Sequence, residues 1–107
     1  MKKIVLGDYE VEFEQNGLMK KMPFAVKESL VSVLFVPDLK LNGRDLLLQN
    51  ILAEKIENCK EDFILLESEE YSRLVSAINV VRGFGKNDIE FIRRILEAEN
   101  VEVEEKK

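Results

Sequence analysis

The sequence contains no histidine and no tryptophan, and its single cysteine is Cys59. Without histidine the chain lacks the commonest general base and the commonest transition-metal ligand. A serine or cysteine nucleophile would need a lysine or a carboxylate as its base. One cysteine cannot close an internal disulfide, so a reducing, cytoplasmic location fits best. Cys59 falls at the end of an expected helix, where the dipole disfavours a thiolate, and it reads as a small apolar residue. Long apolar runs are also missing. The opening stretch has Lys2 and Lys3, but its apolar run stops after Leu6, well short of the roughly 7–15 residues of a signal peptide. No stretch approaches the roughly 18 apolar residues of a membrane span.

What is present describes a globular chain. Hydrophobic residues make up 46% and charged residues 35% of 107 residues, which is too apolar for intrinsic disorder and suits one domain, residues 1–107. A chain of this length buries roughly 60–70% of its unfolded surface and needs no metal to hold a core. The net charge of −5 is repelled by nucleic-acid backbones and anionic membranes and suits a basic partner.

Residues 2–6 and 9–14 are strand candidates, with Gly7-Asp8 expected as the tight turn of an N-terminal hairpin. Tyr9, Val11 and Phe13 alternate with Glu10, Glu12 and Glu14, the period of a half-buried strand. Asn16-Gly17 supplies residues that tolerate positive φ. Residues 18–22 fit either a third strand or a linker. Pro23 suits the first turn of a helix. Val26, Leu30, Val33 and Leu34 recur at helical spacing, and Pro37 ends that segment. Asn42 is the expected cap of a helix reaching about residue 59, striped by Leu48, Ile51, Leu52, Ile56 and Cys59. Leu46 and Leu47 widen the stripe, so burial on more than one side is expected. Phe63–Leu66 fits either a buried strand or an extended connection. Ser68 is the expected cap of a helix with Tyr71, Leu74, Val75, Ile78 and Val81 on one face. A last helix spans Asp88 to about Glu99, with Ile89, Ile92, Ile95 and Leu96 inward. The alternating tail, 101–105, either adds a strand or frays. The fold class is therefore α+β, a small antiparallel N-terminal sheet packed on about four helices.

The stretch Val80–Phe91 holds Gly83-Phe84-Gly85-Lys86. A phosphate loop of the Walker type requires Ser or Thr after Gly-Lys and a glycine five residues before that lysine's glycine. Asn87 and Val80 occupy those positions. A dinucleotide fingerprint requires glycine where Asp88 stands. A corner between two helices accounts for every residue. Arg82 suits the negative end of the first helix, Gly83 a left-handed stop, and Asn87 with Glu90 a capping box for the next. A helix-turn-helix reading with Arg93, Arg94 and Lys86 as its cations is opposed by Asp88, Glu90, Glu97 and Glu99 on the same helix.

Glu10, Glu12 and Glu14 share one strand face at steps of about 6.8 Å, which spreads them too far apart to converge on one cation. They read as a solvated face or as a surface for a basic partner. If the tail strand forms, like charge keeps Glu102 and Glu104 from lying opposite them. Met19, Met22, Phe24 and Phe35, with Lys20 and Lys21 among them, suit either a core or an exposed patch. This is the first place to look for self-association. No catalytic, cofactor or metal site is proposed from the residues.

Leu65–Ala98, with its Leu-Glu-x-x-Glu-Tyr-x-x-Leu opening and its Gly-Phe-Gly, Asn-Asp and Arg-Arg-Ile-Leu-Glu-Ala ending, resembles small accessory proteins of phage and prophage gene clusters. The resemblance implies a small, cytoplasmic, oligomeric protein and no catalytic residues. The expected function is a non-enzymatic interaction or structural module that self-associates. The alternatives are a regulatory binder that docks on a basic surface of a partner through Glu10, Glu12, Glu14 and the tail, and a nucleic-acid-binding helix-turn-helix variant.

Overall fold

A computed structural model describes residues 1–102 of the chain. The strands are β1 (Lys2–Val5), β2 (Tyr9–Gln15), β3 (Leu18–Phe24), β4 (Phe63–Leu66) and β5 (Glu99–Asn100). The helices are α1 (Val26–Leu34), α2 (Gly43–Asn58), α3 (Ser68–Val80) and α4 (Ile89–Leu96), with short 3-10 turns at Pro37–Leu39 and Lys86–Asp88. The α+β class expected from the pattern is the one observed.

The strand pairing differs from expectation. β1 does not form a hairpin with β2; it lies between β4 and β5, antiparallel to both, with Ile4 opposite Ile64 and Lys3 opposite Glu99. β2 pairs instead with β3, in a separate two-stranded sheet. The turns decide this. Asn16 and Gly17 have φ of 54° and 78°, the two successive positive values that match a two-residue turn to strand twist. Gly7 has no positive φ, and Gly7-Asp8 carries the chain from one sheet to the other. Asp8 has a different task there. Its Oδ1 accepts the Val26 N–H at 3.1 Å, which satisfies a first-turn donor of α1.

Pro23 lies in β3 rather than in a helix, opposite Glu10. In an antiparallel pair, alternate residues point their N–H towards the partner strand and away from it. Counted from the Gln15–Leu18 pair that closes the turn, Pro23 falls on an outward-pointing position, where its missing donor breaks no rung. α1 then starts three residues later, and its stripe of Val26, Leu30, Val33 and Leu34 is buried as the spacing predicts.

On α2, Asn42 caps as expected, its side chain accepting the Asp45 N–H at 2.8 Å. The buried face is Gln49, Leu52, Ala53 and Ile56. Leu46, Leu47 and Ile51 are exposed at 47%, 67% and 61%, so the helix is buried on one side only. Gln49 takes an inward place because its amide is satisfied there: Nε2 donates to the Leu34 carbonyl at 3.0 Å, and Oε1 accepts from Arg73 at 3.4 Å. Phe63–Leu66 is a strand. α3 is capped by Glu67, not Ser68, in a reciprocal box with Glu70. Its inward residues are Leu74, Ala77 and Ile78, with Tyr71, Val75 and Val81 half-buried.

A helix, not a strand, enters the glycine corner. Gly83 has φ of 93°, a positive value as expected, but it does not stop the helix: α3 ends at Val80, and its C-cap Val81 is already extended at φ −73° and ψ 133°. Arg82 lies beyond the last turn of α3. Asn87 does not cap α4; Asp88 Oδ2 accepts the Gly85 N–H at 2.8 Å instead, and the Asn87 amide donates to the Glu12 carbonyl at 3.0 Å. The inward residues of α4 are Phe91 and Ile95, at 2% and 0% exposure, whereas Ile89 and Leu96 are exposed. The short strand β5 falls at Glu99–Asn100, before the expected tail strand of 101–105, and the Val101 N–H donates to the Met1 carbonyl at 2.7 Å just beyond it. β5 pairs with β1, away from the β2 glutamates. The expected alternation beyond Glu102 lies outside the described residues.

The core gathers one face of the three-stranded sheet (Ile4, Leu6, Ile64 and Leu66) against the inward stripes of the helices. The other face of that sheet leaves Val5 and Phe63 exposed.

Candidate functional site

The β2–β3 ribbon is not part of this core. Every residue from Glu14 to Pro23 is exposed. The radius of gyration is 15.2 Å and the long axis 58 Å, against a radius of about 13 Å for a compact domain of this length. The ribbon is therefore an arm, and a two-stranded ribbon alone is marginally stable in water.

Its root is clamped. The Tyr9 and Phe24 rings stack at 4.8 Å, and Phe24 meets Phe91 at 5.4 Å. The Tyr9 hydroxyl donates to the Asn87 carbonyl at 3.0 Å and accepts the Phe91 N–H at 3.1 Å. Arg94 lies 5.0 Å over the Tyr9 ring and donates to the Val5 and Gly7 carbonyls. Burial, the largest cause, raises the Tyr9 pKa, with Asp88 and Glu90 adding to the rise and the Phe91 N–H and Arg94 opposing it. The clamp thus holds a neutral phenol.

The register of β2 and β3 sorts every candidate residue onto one of two faces. One face carries Glu10, Glu12 and Glu14 beside Pro23, Lys21 and Met19. The other carries Tyr9, Val11, Phe13 and Gln15 beside Phe24, Met22, Lys20 and Leu18. This second face is apolar apart from Gln15 and Lys20; beyond the root Leu18 is 64% exposed and Met22 48%, while Val11 and Phe13 are half-buried. Met19, at 65%, is on the acidic face. The glutamates and the Met19–Phe24 stretch, singled out separately in the sequence, are therefore brought together on one ribbon. Met19 and Met22 are exposed on opposite faces of the ribbon, whereas Phe24 and Phe35 are half-buried against the core. Val11, Phe13 and Leu18 were not singled out with them. The alternation in β2 marked Val11 and Phe13 as core; both are half-buried, and the register with β3 shows that they share a face with the exposed Leu18 and Met22.

The two edges of the arm discourage strand addition. Antiparallel pairing of β2 with its own copy about Glu12 sets Glu12 against Glu12 and Glu10 against Glu14. Pairing β3 with its own copy about Lys20 or Lys21 sets lysine against lysine. Like charges directly opposite one another are destabilising, and charged edges keep sheets from extending.

Where the apolar face meets the body, a cavity of about 340 Å³ opens, floored by Phe24, Val33, Phe84 and Phe91 and rimmed by Glu28 and Asp88. A second cavity, of about 560 Å³, lies beside α1 and includes Asp8 and Lys27. Two of its polar groups serve the fold: Asp8 accepts the Val26 N–H at the start of α1, and Lys27 donates to the Cys59 carbonyl. The Cys59 thiol is itself occupied, donating to the Phe63 carbonyl at 3.2 Å.

Among the described residues, no group of three or more histidine, cysteine or acidic side chains is placed to hold a metal ion. No helix among them is long and apolar enough to cross a membrane. None of the family models, curated proteins and solved structures compared with the chain matches it.

Proposed function

We propose that the protein is a non-enzymatic interaction module that self-associates through the apolar face of the β2–β3 arm. The observation that carries this reading is a clamped ribbon with Leu18 and Met22 exposed beside the half-buried Val11 and Phe13 on one apolar face. A ribbon of this kind needs a second layer to be stable, and exposed apolar surface on a soluble chain marks an interaction site. The defended edges favour packing by the face over strand addition. A structural or assembly role of the kind found in phage and prophage accessory proteins belongs to the same reading, because such proteins are often oligomeric.

Light scattering on the full chain during size-exclusion chromatography tests this. A dimer or higher oligomer is expected at micromolar concentration. Leu18→Glu with Met22→Glu should weaken association at least about tenfold, since two buried apolar side chains are lost and each 1.4 kcal/mol is a factor of ten. A strict monomer near 100 µM, a concentration on the order of weak interfaces, would sink the reading.

A basic protein partner is the second reading, favoured by Glu10, Glu12 and Glu14 all standing exposed on one face. A monomer that binds polylysine with strong salt sensitivity, and loses it on changing all three glutamates to glutamine, would favour this one.

A further inference from the structure

We infer that the cavity at the root of the arm is the receptor for the arm tip of a second copy, with Leu18 as the inserted side chain and Lys20 as its electrostatic guide. The inference rests on the self-association proposed above and specifies its geometry.

Size makes the first case for it. The free part of the apolar face is about five residues long and two strands wide. By strand rise and spacing that is a footprint of roughly 17 by 10 Å. Even allowing for side-chain relief, it falls well short of the roughly 800 Å² per partner of a standard stable interface. A durable dimer has to bury more of each body, and the surface continuous with the arm is the cavity. Phe24 belongs to both: it is the innermost residue of the apolar face on β3 and part of the cavity floor.

Reach makes the second case. Leu18 and Phe24 are the two ends of β3, about 20 Å apart by strand rise. Two arms packed face to face, antiparallel about a two-fold axis near Lys21, bring each Leu18 over the other copy's Phe24. Such an isologous contact is closed and needs only one kind of surface. The cavity, with three phenylalanines and a valine in its floor, then receives an exposed leucine.

Charge makes the third case. Lys20 is the one charge on the apolar face, and it lies one strand repeat from Leu18. The cavity rim carries Glu28 and Asp88. Asp88 holds the Gly85 N–H through Oδ2, which leaves Oδ1 for a further donor. Glu28 is exposed and, among the described residues, takes part in no ion pair. In the antiparallel dimer each Lys20 lies over the partner's Met22, one repeat from that rim.

Two measurements on the full chain test the geometry. In a Cys59→Ala background, a Leu18→Cys chain is mixed with a Ser32→Cys chain and mildly oxidised; Ser32 is an exposed residue of the cavity wall. A disulfide-linked heterodimer is expected, and a Ser76→Cys chain, with its cysteine on the exposed side of α3, should not form one. In the native background, Lys20→Glu should weaken the dimer by about tenfold through two lost ion pairs, and adding Glu28→Lys should restore it. A dimer by light scattering that gives no Leu18–Ser32 crosslink, and that Lys20→Glu leaves unchanged, overturns this inference while leaving self-association intact. A native chain that stays monomeric overturns both.

Discussion

Replacing Tyr9 by phenylalanine isolates the clamp that joins arm to body. The change keeps the ring, so the 4.8 Å stack on Phe24 and the 5.0 Å approach of Arg94 survive. What disappears is one oxygen with two partners. The Asn87 carbonyl is exposed and can turn to water. The Phe91 N–H cannot do so easily: it lies in the first turn of α4, beneath a residue only 2% exposed. The first N–H groups of a helix have no partner within the helix, so the Tyr9 hydroxyl is the acceptor that completes this end. A buried donor left unsatisfied costs about 1–3 kcal/mol. A domain of this size loses about 4–8 °C of melting temperature per kcal/mol. Tyr9→Phe should therefore lower the melting temperature by roughly 5–15 °C, taking the lower part of that cost. Calorimetry gives the shift, and hydrogen exchange at the Phe91 amide gives its location. A variant that melts within about 1 °C of the native chain, with Phe91 exchange unchanged, would show that the hydroxyl bridge holds nothing, since an exposed site is near neutral.

The same phenol sets a pH dependence. Burial raises its folded pKa above the ordinary value near 10, so the folded chain holds that proton more tightly than the unfolded chain. Its contribution is complete below about pH 10 and is lost as pH rises through 10 towards the folded value; the fall in stability between pH 9 and 11, read from urea melts, should be smaller in Tyr9→Phe than in the native chain. Leu52→Ala should cost about 2–5 kcal/mol, while Leu47→Ala, measured at concentrations below association, should stay within about 0.5 kcal/mol. Equal losses from the two leucines in urea titrations would contradict the one-sided burial of α2.

Helices were legible where residue identity and position agree. The stripes of α1 and α3 follow the 3.6-residue period, and Asn42 announces its helix by its own side chain. α2 misled because its most apolar residues are not its inward ones. Leu46, Leu47 and Ile51 are more hydrophobic than Gln49, yet Gln49 is buried because Leu34 and Arg73 meet both ends of its amide. Those partners come from other elements of the fold, and no period in α2 encodes them. α4 follows the same rule. Ile89 and Leu96 fit the pattern of inward residues, but the position of Phe91 beneath Phe24 sets the helix's rotation. The side-chain cap of α3 moved by one position, from Ser68 to Glu67, where neighbouring side chains offer nearly equivalent acceptors; at α4 no side chain caps, because Asp88 is turned to the Gly85 N–H.

The arm shows why the candidate surface was half visible. β2 alternates as a half-buried strand does, and its apolar set was assigned to the core on that basis. β3, with Leu18-Met19-Lys20-Lys21-Met22, has no such alternation, and its residues could not be sorted without a partner. A period of two marks which residues share a face; it is silent on whether that face is covered by the same chain. Pairing with β3 supplies the missing information twice. It places Leu18 and Met22 beside Gln15 and Val11, which extends the apolar face along the ribbon. It also sets Glu12 across from Lys21, so opposite charges are neighbours within one ribbon. Between two ribbons joined edge to edge, the strand pairings centred on Glu12, Lys20 or Lys21 bring like charges together. In the self-association proposed above, attraction within the ribbon and repulsion at its edges favour the apolar face over the edges as the surface a second copy approaches.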